Sequence, residues 1–335
     1  MIALSGGGTG GHLSIIKALK NALNAKGIQP VYIGSNSGQD RDWFEDEDGF
    51  SKKFFLNSQG VVNKKGFKKI ASLAQIFKSA STCRDIFKEH NIKSLISVGG
   101  YSAAPASFAT IASRVDLYIH EQNAAMGRLN KILKPFAKEF FSSYNNNSKV
   151  KDYPVDISFF QNRKSIKELK TIIFLGGSQG SRAINLLAME LAKELNKRDI
   201  NIIHQTGKNE FEKIKTFYQQ NNLKADVFDF SSKLIEKISK ADFAISRSGA
   251  STLWELCALG TPTLFIPYPY AAGDHQYYNA KNLADKKLAL LRREDEIEAK
   301  KILKEIDKLN LEEISSNLKK EINPDGAMKI IEEII

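Results

Sequence analysis

Two short glycine runs, each set between an apolar stretch and an amphipathic one, are the residues best placed to do chemistry in this chain. Gly6, Gly8 and Gly11 satisfy G-x-G-x-x-G, and Gly176-Gly177-Ser178-Gln179-Gly180 repeats the device about 170 residues later. Glycines at a strand-to-helix turn let backbone N–H groups and the positive helix end approach a phosphate closely. The helix end adds roughly 0.3–1 kcal/mol, and about 2 kcal/mol where the site is partly buried. A tight turn packing a helix on a sheet needs the same glycines, so either loop alone is ambiguous; the pair favours phosphate. In the second loop Ser178 and Gln179 add a hydroxyl and an amide for a donor diphosphate.

The first loop does not fit a nicotinamide-dinucleotide site, which needs an acid at the end of the second strand to hold a ribose. Ile33-Gly34-Ser35-Asn36 stands there, and the first acid is Asp40. A Walker loop would continue with Lys and Ser/Thr, whereas Gly11 is followed by His12 and Leu13. The acidic runs 40–42 and 45–48 read as solvated loop charge. No D-x-D metal signature stands out, and no obligatory metal or cofactor is expected.

The densest polar text is SRSGASTLWELCALGTPTLFIPYPYAAGDHQYYNA, beginning at Ser246. A strand ends at Ser246, and Ser251 and Thr252 open a helix with Glu255 near its first turn, stopping at Gly260. Glu255 could accept two ribose hydroxyls or merely cap its helix. Asp274, His275, Gln276 and Asn279 follow in a loop; carboxamides both donate and accept, as a sugar hydroxyl requires, though they could also cap the next helix.

The elements that carry these residues alternate. Short apolar runs at Met1–Ser5, Pro30–Ile33, Ser94–Val98, Asp116–His120, Thr171–Leu175, Ile200–Gln205, Phe243–Ser246 and Thr263–Pro267 are separated by helical patterns. This predicts α/β architecture with parallel sheets. The opening IALSGGGTGGHLSIIKALKNAL is answered by TIIFLGGSQGSRAINLLAMELAKEL, so two Rossmann-like domains are expected. Their boundary falls between 155 and 156, beside the polar stretch Asn145 to Lys151, and the tail 323–335 forms a short helix free to pack back on the first domain. At 335 residues the chain is long for a single core.

Residues 1–155 hold 21 Lys/Arg against 12 Asp/Glu, and 156–335 hold 28 against 26. The first half is therefore +9 and the second +2, which points the first half toward an anionic surface. Nucleic acid is not the expected partner, because no recognition motif or aromatic repeat accompanies the charge. In the window 64–78, Phe67, Ile70, Leu73 and Phe77 recur at helical spacing, fringed by Lys64, Lys65, Lys68, Lys69 and Lys78. That pattern suits a helix face resting on anionic lipid, or an ordinary helix packing on its sheet. No run of 18 apolar residues occurs and the start lacks signal-peptide character, so neither a membrane span nor export is expected. Cys83 and Cys257 lack metal spacing and read as buried small hydrophobes in a reducing compartment.

Taken in order, Gly7-Gly8-Thr9-Gly10-Gly11-His12, GGYSAAP at 99–105, HEQN at 120–123, GGSQGSR at 176–182, SRSGASTLWE at 246–255 and DHQYYNA at 274–280 resemble the MurG family. These motifs span nearly the whole chain. The resemblance implies a GT-B fold, two Rossmann-like domains facing across a cleft, and transfer of N-acetylglucosamine with inversion. The donor would be UDP-N-acetylglucosamine, a substrate rather than a cofactor. The acceptor would be the C4 hydroxyl of the muramoyl sugar of undecaprenyl-diphospho-muramoyl pentapeptide, in peptidoglycan synthesis. A GT-B enzyme acting on another glycolipid or small acceptor is the alternative.

By that resemblance the donor would meet Ser178, Gln179, Ala250, Ser251, Thr252, Leu253, Trp254, Glu255, Gln276 and Asn279, with Ser231 at the uracil and Thr9, Gly10, Gly11 and Asn123 reaching the sugar or phosphates. The acceptor would meet Gly7, Gly8, Gly99, Gly100 and Tyr101. His12, titrating near neutrality, is the candidate general base, with Glu121 as the alternative base or the residue that orients the histidine. The chain departs from the family at Tyr153-Pro154-Val155-Asp156, where Asp156 replaces an arginine expected to help hold the donor, and Arg163, Arg182 and Arg247 are the candidate substitutes. The implied location is peripheral, on the cytoplasmic face of the inner membrane.

Overall fold

A computed structural model describes residues 1–58, 60, 67–177, 179–231 and 234–335, with the backbone alone for 67–71 and 73. They form two compact units, 1–156 with 324–335, and 157–323.

The first unit is a wholly parallel sheet of β1 (Ile2–Ser5), β2 (Val31–Ser35), β3 (Lys52–Leu56), β4 (Ser94–Ser97), β5 (Asp116–His120) and β6 (Glu139–Phe141), ordered β3-β2-β1-β4-β5-β6. The second repeats that plan with β7 (Thr171–Leu175), β8 (Asn201–Gln205), β9 (Asp226–Phe228), β10 (Phe243–Ser246), β11 (Thr263–Phe265) and β12 (Leu290–Leu291), ordered β12-β11-β10-β7-β8-β9. Counted from its own first strand, each sheet runs 3-2-1-4-5-6, the doubly wound order. The central strands are apolar on both faces because helices cover both. The four strands absent from the expected apolar runs, β3, β6, β9 and β12, are the four sheet edges, and all are short or half-exposed.

Helix Arg182–Lys197 shows how sequence sets an element here. Ser181 caps it by accepting the Ile184 N–H, and Leu187, Leu191 and Leu195 recur every fourth residue to bury one face in the core of the second unit. The tail helix Gly326–Glu332 packs on helix Gly10–Ala25 within the first unit. A Cβ on Gly326 would stand 2.8 Å from the carbonyls of Asp152 and Tyr153, so glycine permits this docking. Lys329 pairs with Asp152 at 2.9 Å.

Helix Phe67–Glu89 covers part of the lysine-fringed window. Lys64 and Lys65 lie outside the described residues, as do the side chains of Phe67, Lys68, Lys69, Ile70 and Leu73. Phe77, farther along, is 63% exposed. Among the described residues no helix is long and apolar enough to cross a membrane.

His204, on β8, is buried between Asn185 Oδ1, 3.0 Å from Nε2, and the Tyr218 hydroxyl, 3.2 Å from Nδ1. Burial pushes its pKa down to about 3. Because this folded value lies below an unfolded value of about 6.5, the unfolded chain binds the extra proton in that interval. Stability from His204 is complete above about pH 6.5 and declines as pH falls toward 3, by up to about 1.4 kcal/mol per pH unit. Urea unfolding at pH 7 and 5, followed by Trp254 in a Trp43→Phe background, should show a steeper loss for the parent than for His204→Gln; equal losses would contradict the assignment.

Candidate active site

In each unit the order reverses between its first and fourth strands, and the crevice beyond their C-terminal ends is where doubly wound sheets take ligands. β1 and β4 end in register, Ser5 opposite Ser97, and from them leave the first glycine loop and the Gly99-Gly100 turn. Gly100 adopts φ +79°, and a Cβ there would stand 2.7 Å from the Gly7 carbonyl and 3.4 Å from the His12 ring. The two turns are thus pressed together, with His12 beside them in the first turn of helix Gly10–Ala25.

A buried carboxylate fixes this arrangement. Asp40 is completely inaccessible and accepts the N–H of Gly8 at 2.5 Å, the N–H of Ser35 at 2.8 Å and the hydroxyl of Ser102. The Tyr32 hydroxyl lies 3.1 Å from the same carboxylate and 2.9 Å from the Gly6 carbonyl. Burial, reinforced by Asp40, raises the pKa of Tyr32 far above its ordinary range, and the same causes raise that of Tyr101. The expectation of solvated charge at 40–42 is therefore wrong for Asp40: its carboxylate returns to the strand end and the loop, where four donors replace its water.

Tyr101 donates its hydroxyl to Ser37 O at 2.8 Å, and its ring stands where side chains on Gly8 or Gly38 would fall. It wedges the loop and is itself half-buried. Gly7 and Gly99 are buried; Gly8, Gly10, Gly11 and Gly100 are half-buried, and Thr9 is exposed at the helix N-cap.

Thr9 Oγ1 lies 3.0 Å from His12 Nδ1, and Gln122 Nε2 lies 2.9 Å from His12 Nε2. The side chain meeting Nε2 is thus Gln122, which the sequence did not single out. Glu121 instead accepts the N–H of Asn123, the N–H of Gly127 and Nδ2 of Asn130, each at 2.9 Å. A carboxylate with three donors of its own loop is an organiser of residues 121–127 and is badly placed to act as a base. Asn123 is half-buried at the start of that loop. His120 is buried edge-on to Tyr153, and burial, with nearby His12, pushes its pKa down to about 3.

In the second unit β7 and β10 end together, Leu175 opposite Ser246. Ser178 lies outside the described residues; Gln179 is exposed, and Gly177 holds φ +80° with open space where a side chain would be. Helix Ala250–Leu259 starts beyond β10. Leu253 and Trp254 turn inward and are buried, as are Ala250 and Ser251, so their side chains serve the core and any ligand contact there falls to the backbone. Thr252 and Glu255 are half-buried. Glu255 is the sixth residue of its helix, beyond the first turn, so it does not cap it.

Asn279 corrects another expectation. It is fully buried and donates Nδ2 to Ser248 O at 3.1 Å, holding the turn before the helix instead of facing a ligand. Gln276 is half-buried and accepts the Tyr268 N–H at 2.9 Å, and Ser231 is half-buried just past β9. Of the three arginines, Arg163 donates to the carbonyls of Ala258, Lys319 and Ile322, while Arg247 holds those of Ile266 and Pro267 and pairs with Glu294. Arg182 is exposed at the first position of the helix that follows the second glycine loop. Asp156, at the position of the missing arginine, accepts Nδ2 of Asn21 at 2.9 Å inside the first unit. Among the described residues no three His, Cys, Asp or Glu side chains gather as a metal site.

Comparison with known proteins matches both units. Residues 2–142 fit the glycosyltransferase family 28 N-terminal domain and residues 171–334 the family 28 C-terminal domain. A UDP-N-acetylglucosamine–N-acetylmuramyl-(pentapeptide) pyrophosphoryl-undecaprenol N-acetylglucosamine transferase of Campylobacter jejuni is 53% identical over 334 residues, covering 100% of this chain and 97% of that protein. One of Wolinella succinogenes is 51% identical over 90% of each chain. The crystal structure of Acinetobacter baumannii MurG superposes with a TM-score of 0.77 at 25% identity, covering 99% and 98% of the two chains.

Asp40→Asn keeps the shape but turns an N–H toward a set of donors, and should destabilise the first unit by about 3 kcal/mol. Urea unfolding followed by Trp43 measures this; a change below about 0.5 kcal/mol would show that the four contacts do not hold the loop.

Proposed function

This chain belongs to glycosyltransferase family 28, and we propose that it transfers N-acetylglucosamine from UDP-N-acetylglucosamine to an undecaprenyl-diphospho-muramoyl pentapeptide. The observation that carries this reading is identity of 53% to transferases of that name along its whole length, both units included. The acceptor is its muramoyl C4 hydroxyl, and the reaction belongs to peptidoglycan synthesis.

Inversion is a single displacement. The acceptor oxygen attacks the anomeric carbon, its proton passes to a base, and the sugar–phosphate bond breaks with its electrons on UDP. His12 is the base: its ring lies at the junction of the first glycine loop and the Gly99-Gly100 turn. Donor diphosphate meets the N–H groups of the second glycine loop, where Gly177 leaves open space, and the start of helix Ala250–Leu259. Arg182 takes the part of the cation missing at 156, since Arg163 and Arg247 are committed to carbonyls and Glu294. Glu255 receives the ribose hydroxyls and Gln276 the sugar. No metal is needed in this scheme, because backbone N–H groups and a guanidinium stabilise the leaving group.

The enzyme works as a peripheral protein on the cytoplasmic face of the inner membrane, with the first unit toward the lipid. Phe77, Ile111, Ile132 and Phe136 are all about half exposed or more. Helix Gly100–Ile111 packs against both helix Phe67–Glu89 and helix Arg128–Leu133, and Lys131 and Lys134 flank Ile132. Apolar side chains fringed by lysine suit an anionic bilayer surface.

UDP release from UDP-N-acetylglucosamine, with a short-chain lipid-linked muramoyl pentapeptide, should require both substrates, and UDP-glucose should fail; release without the acceptor would refute the reading. Glu255→Ala and Gln276→Ala should each lower kcat/KM for the donor about tenfold or more, whereas His12→Ala should lower kcat by about 10²–10⁴. Unchanged values would remove those roles. Ile132→Ser with Phe136→Ser should weaken sedimentation with vesicles containing anionic lipid while leaving donor binding intact; equal sedimentation would exclude this face.

A further inference from the structure

We infer that Lys208 is a cation of the donor site, its ammonium meeting the diphosphate of UDP-N-acetylglucosamine and of the UDP that departs. The inference rests on the reading of the second unit as the donor unit. β8 lies beside β7 in the sheet, and the two strands end in register, Leu175 opposite Gln205. The second glycine loop and residues 206–208 therefore leave the sheet side by side, at the C-terminal edge where doubly wound sheets take their ligands.

Close packing joins the two segments. A Cβ on Gly180 would stand 2.4 Å from the Thr206 carbonyl oxygen, and a Cβ on Gly207 would stand 2.5 Å from the Gly180 nitrogen. Both glycines hold φ +76°, so neither backbone conformation nor space admits a side chain at either position. Lys208 is the residue that follows this contact. Thr206 and Gly207 are buried, whereas Lys208 is exposed. Its flexible four-carbon stem brings the ammonium within reach of an anion on the adjoining loop.

The segment that carries Lys208 is braced from within the core. Asn185, fully buried, donates Nδ2 to the Thr206 carbonyl at 3.1 Å and to Glu210 Oε2 at 2.7 Å. A backbone carbonyl only accepts, which fixes that end of the carboxamide as nitrogen. The Thr206 N–H is given to Phe228 O at 2.9 Å, tying the segment to β9 as well. The acid of this segment, Glu210, is thus occupied by Asn185, and Lys208 forms no ion pair among the described residues. Arg182, exposed at the helix start after the same glycine loop, is the other cation there. A nucleoside diphosphate carries more than one negative charge, so a single guanidinium leaves part of it unmatched. Charge-assisted hydrogen bonds to phosphate oxygens are the contacts that an ammonium beside the loop supplies.

Equilibrium dialysis of labelled UDP and labelled uridine against the full chain tests this. Lys208→Met keeps the stem and removes the charge; it should weaken UDP about tenfold or more, and lower kcat/KM for the donor by a similar factor. Uridine, which has no phosphate, should bind the variant as it binds the parent, and Lys208→Arg should retain UDP. Added salt should narrow the gap between parent and Met variant, because an exposed charge is screened. UDP affinity in the Met variant within about twofold of the parent would overturn the inference. An equal loss of uridine would also overturn it, making Lys208 part of the nucleoside pocket or of the frame. Failure of the parent itself to bind UDP would instead defeat the donor reading, and this inference with it.

Discussion

A carboxylate removed from water has to replace every lost hydrogen bond, and in the first unit Asp40 does so by drawing four donors from three separate segments to one point. The first glycine loop, strand β2 through both Tyr32 and Ser35, and the start of helix Gly100–Ile111 all meet it. Charge-assisted bonds in a dry interior are stronger than their counterparts in water, and an unpaired partner there is costly. The loop is therefore held in one conformation before any ligand arrives. Tyr101 reinforces it from the other side.

This constraint separates two loops that look alike as text. Gly8 N–H is already given to Asp40, so the first loop has one donor fewer for a phosphate and a negative charge behind it. The second loop has open space at Gly177 and an exposed arginine at the next helix start. The same strand–glycine–helix grammar thus yields a rigid frame for a histidine in one unit and, in the other, a turn with open space at Gly177 beside an exposed arginine. The division of labour proposed for acceptor and donor follows from that difference.

Buried polar groups do comparable framing elsewhere. Glu121 organises residues 121–127, Asn279 holds the turn at Ser248, and Arg163 meets the Ala258 carbonyl near the C-terminal end of helix Ala250–Leu259. Each is the type of residue that, in a sequence, invites a catalytic or binding role. Their side chains are instead spent on the backbone that positions others, while Gln122, given no role of its own within the HEQN motif, touches the candidate base.

The sequence by itself determined the α/β class, the eight inner strands, the repeated strand–glycine–helix openings and the family, because apolar runs and glycine turns are local signals that need no partner to be seen. It did not disclose β3, β6, β9 and β12, since an edge strand has one neighbour and half-exposed faces, leaving little apolar text. Only the tertiary structure decided which polar residues are buried. Asp40 and Asp42 stand two residues apart in one acidic run, yet Asp40 is sealed and Asp42 is exposed. Whether a carboxylate keeps its water depends on donors brought from residues 8, 32, 35 and 102, and that convergence exists only once the chain has folded.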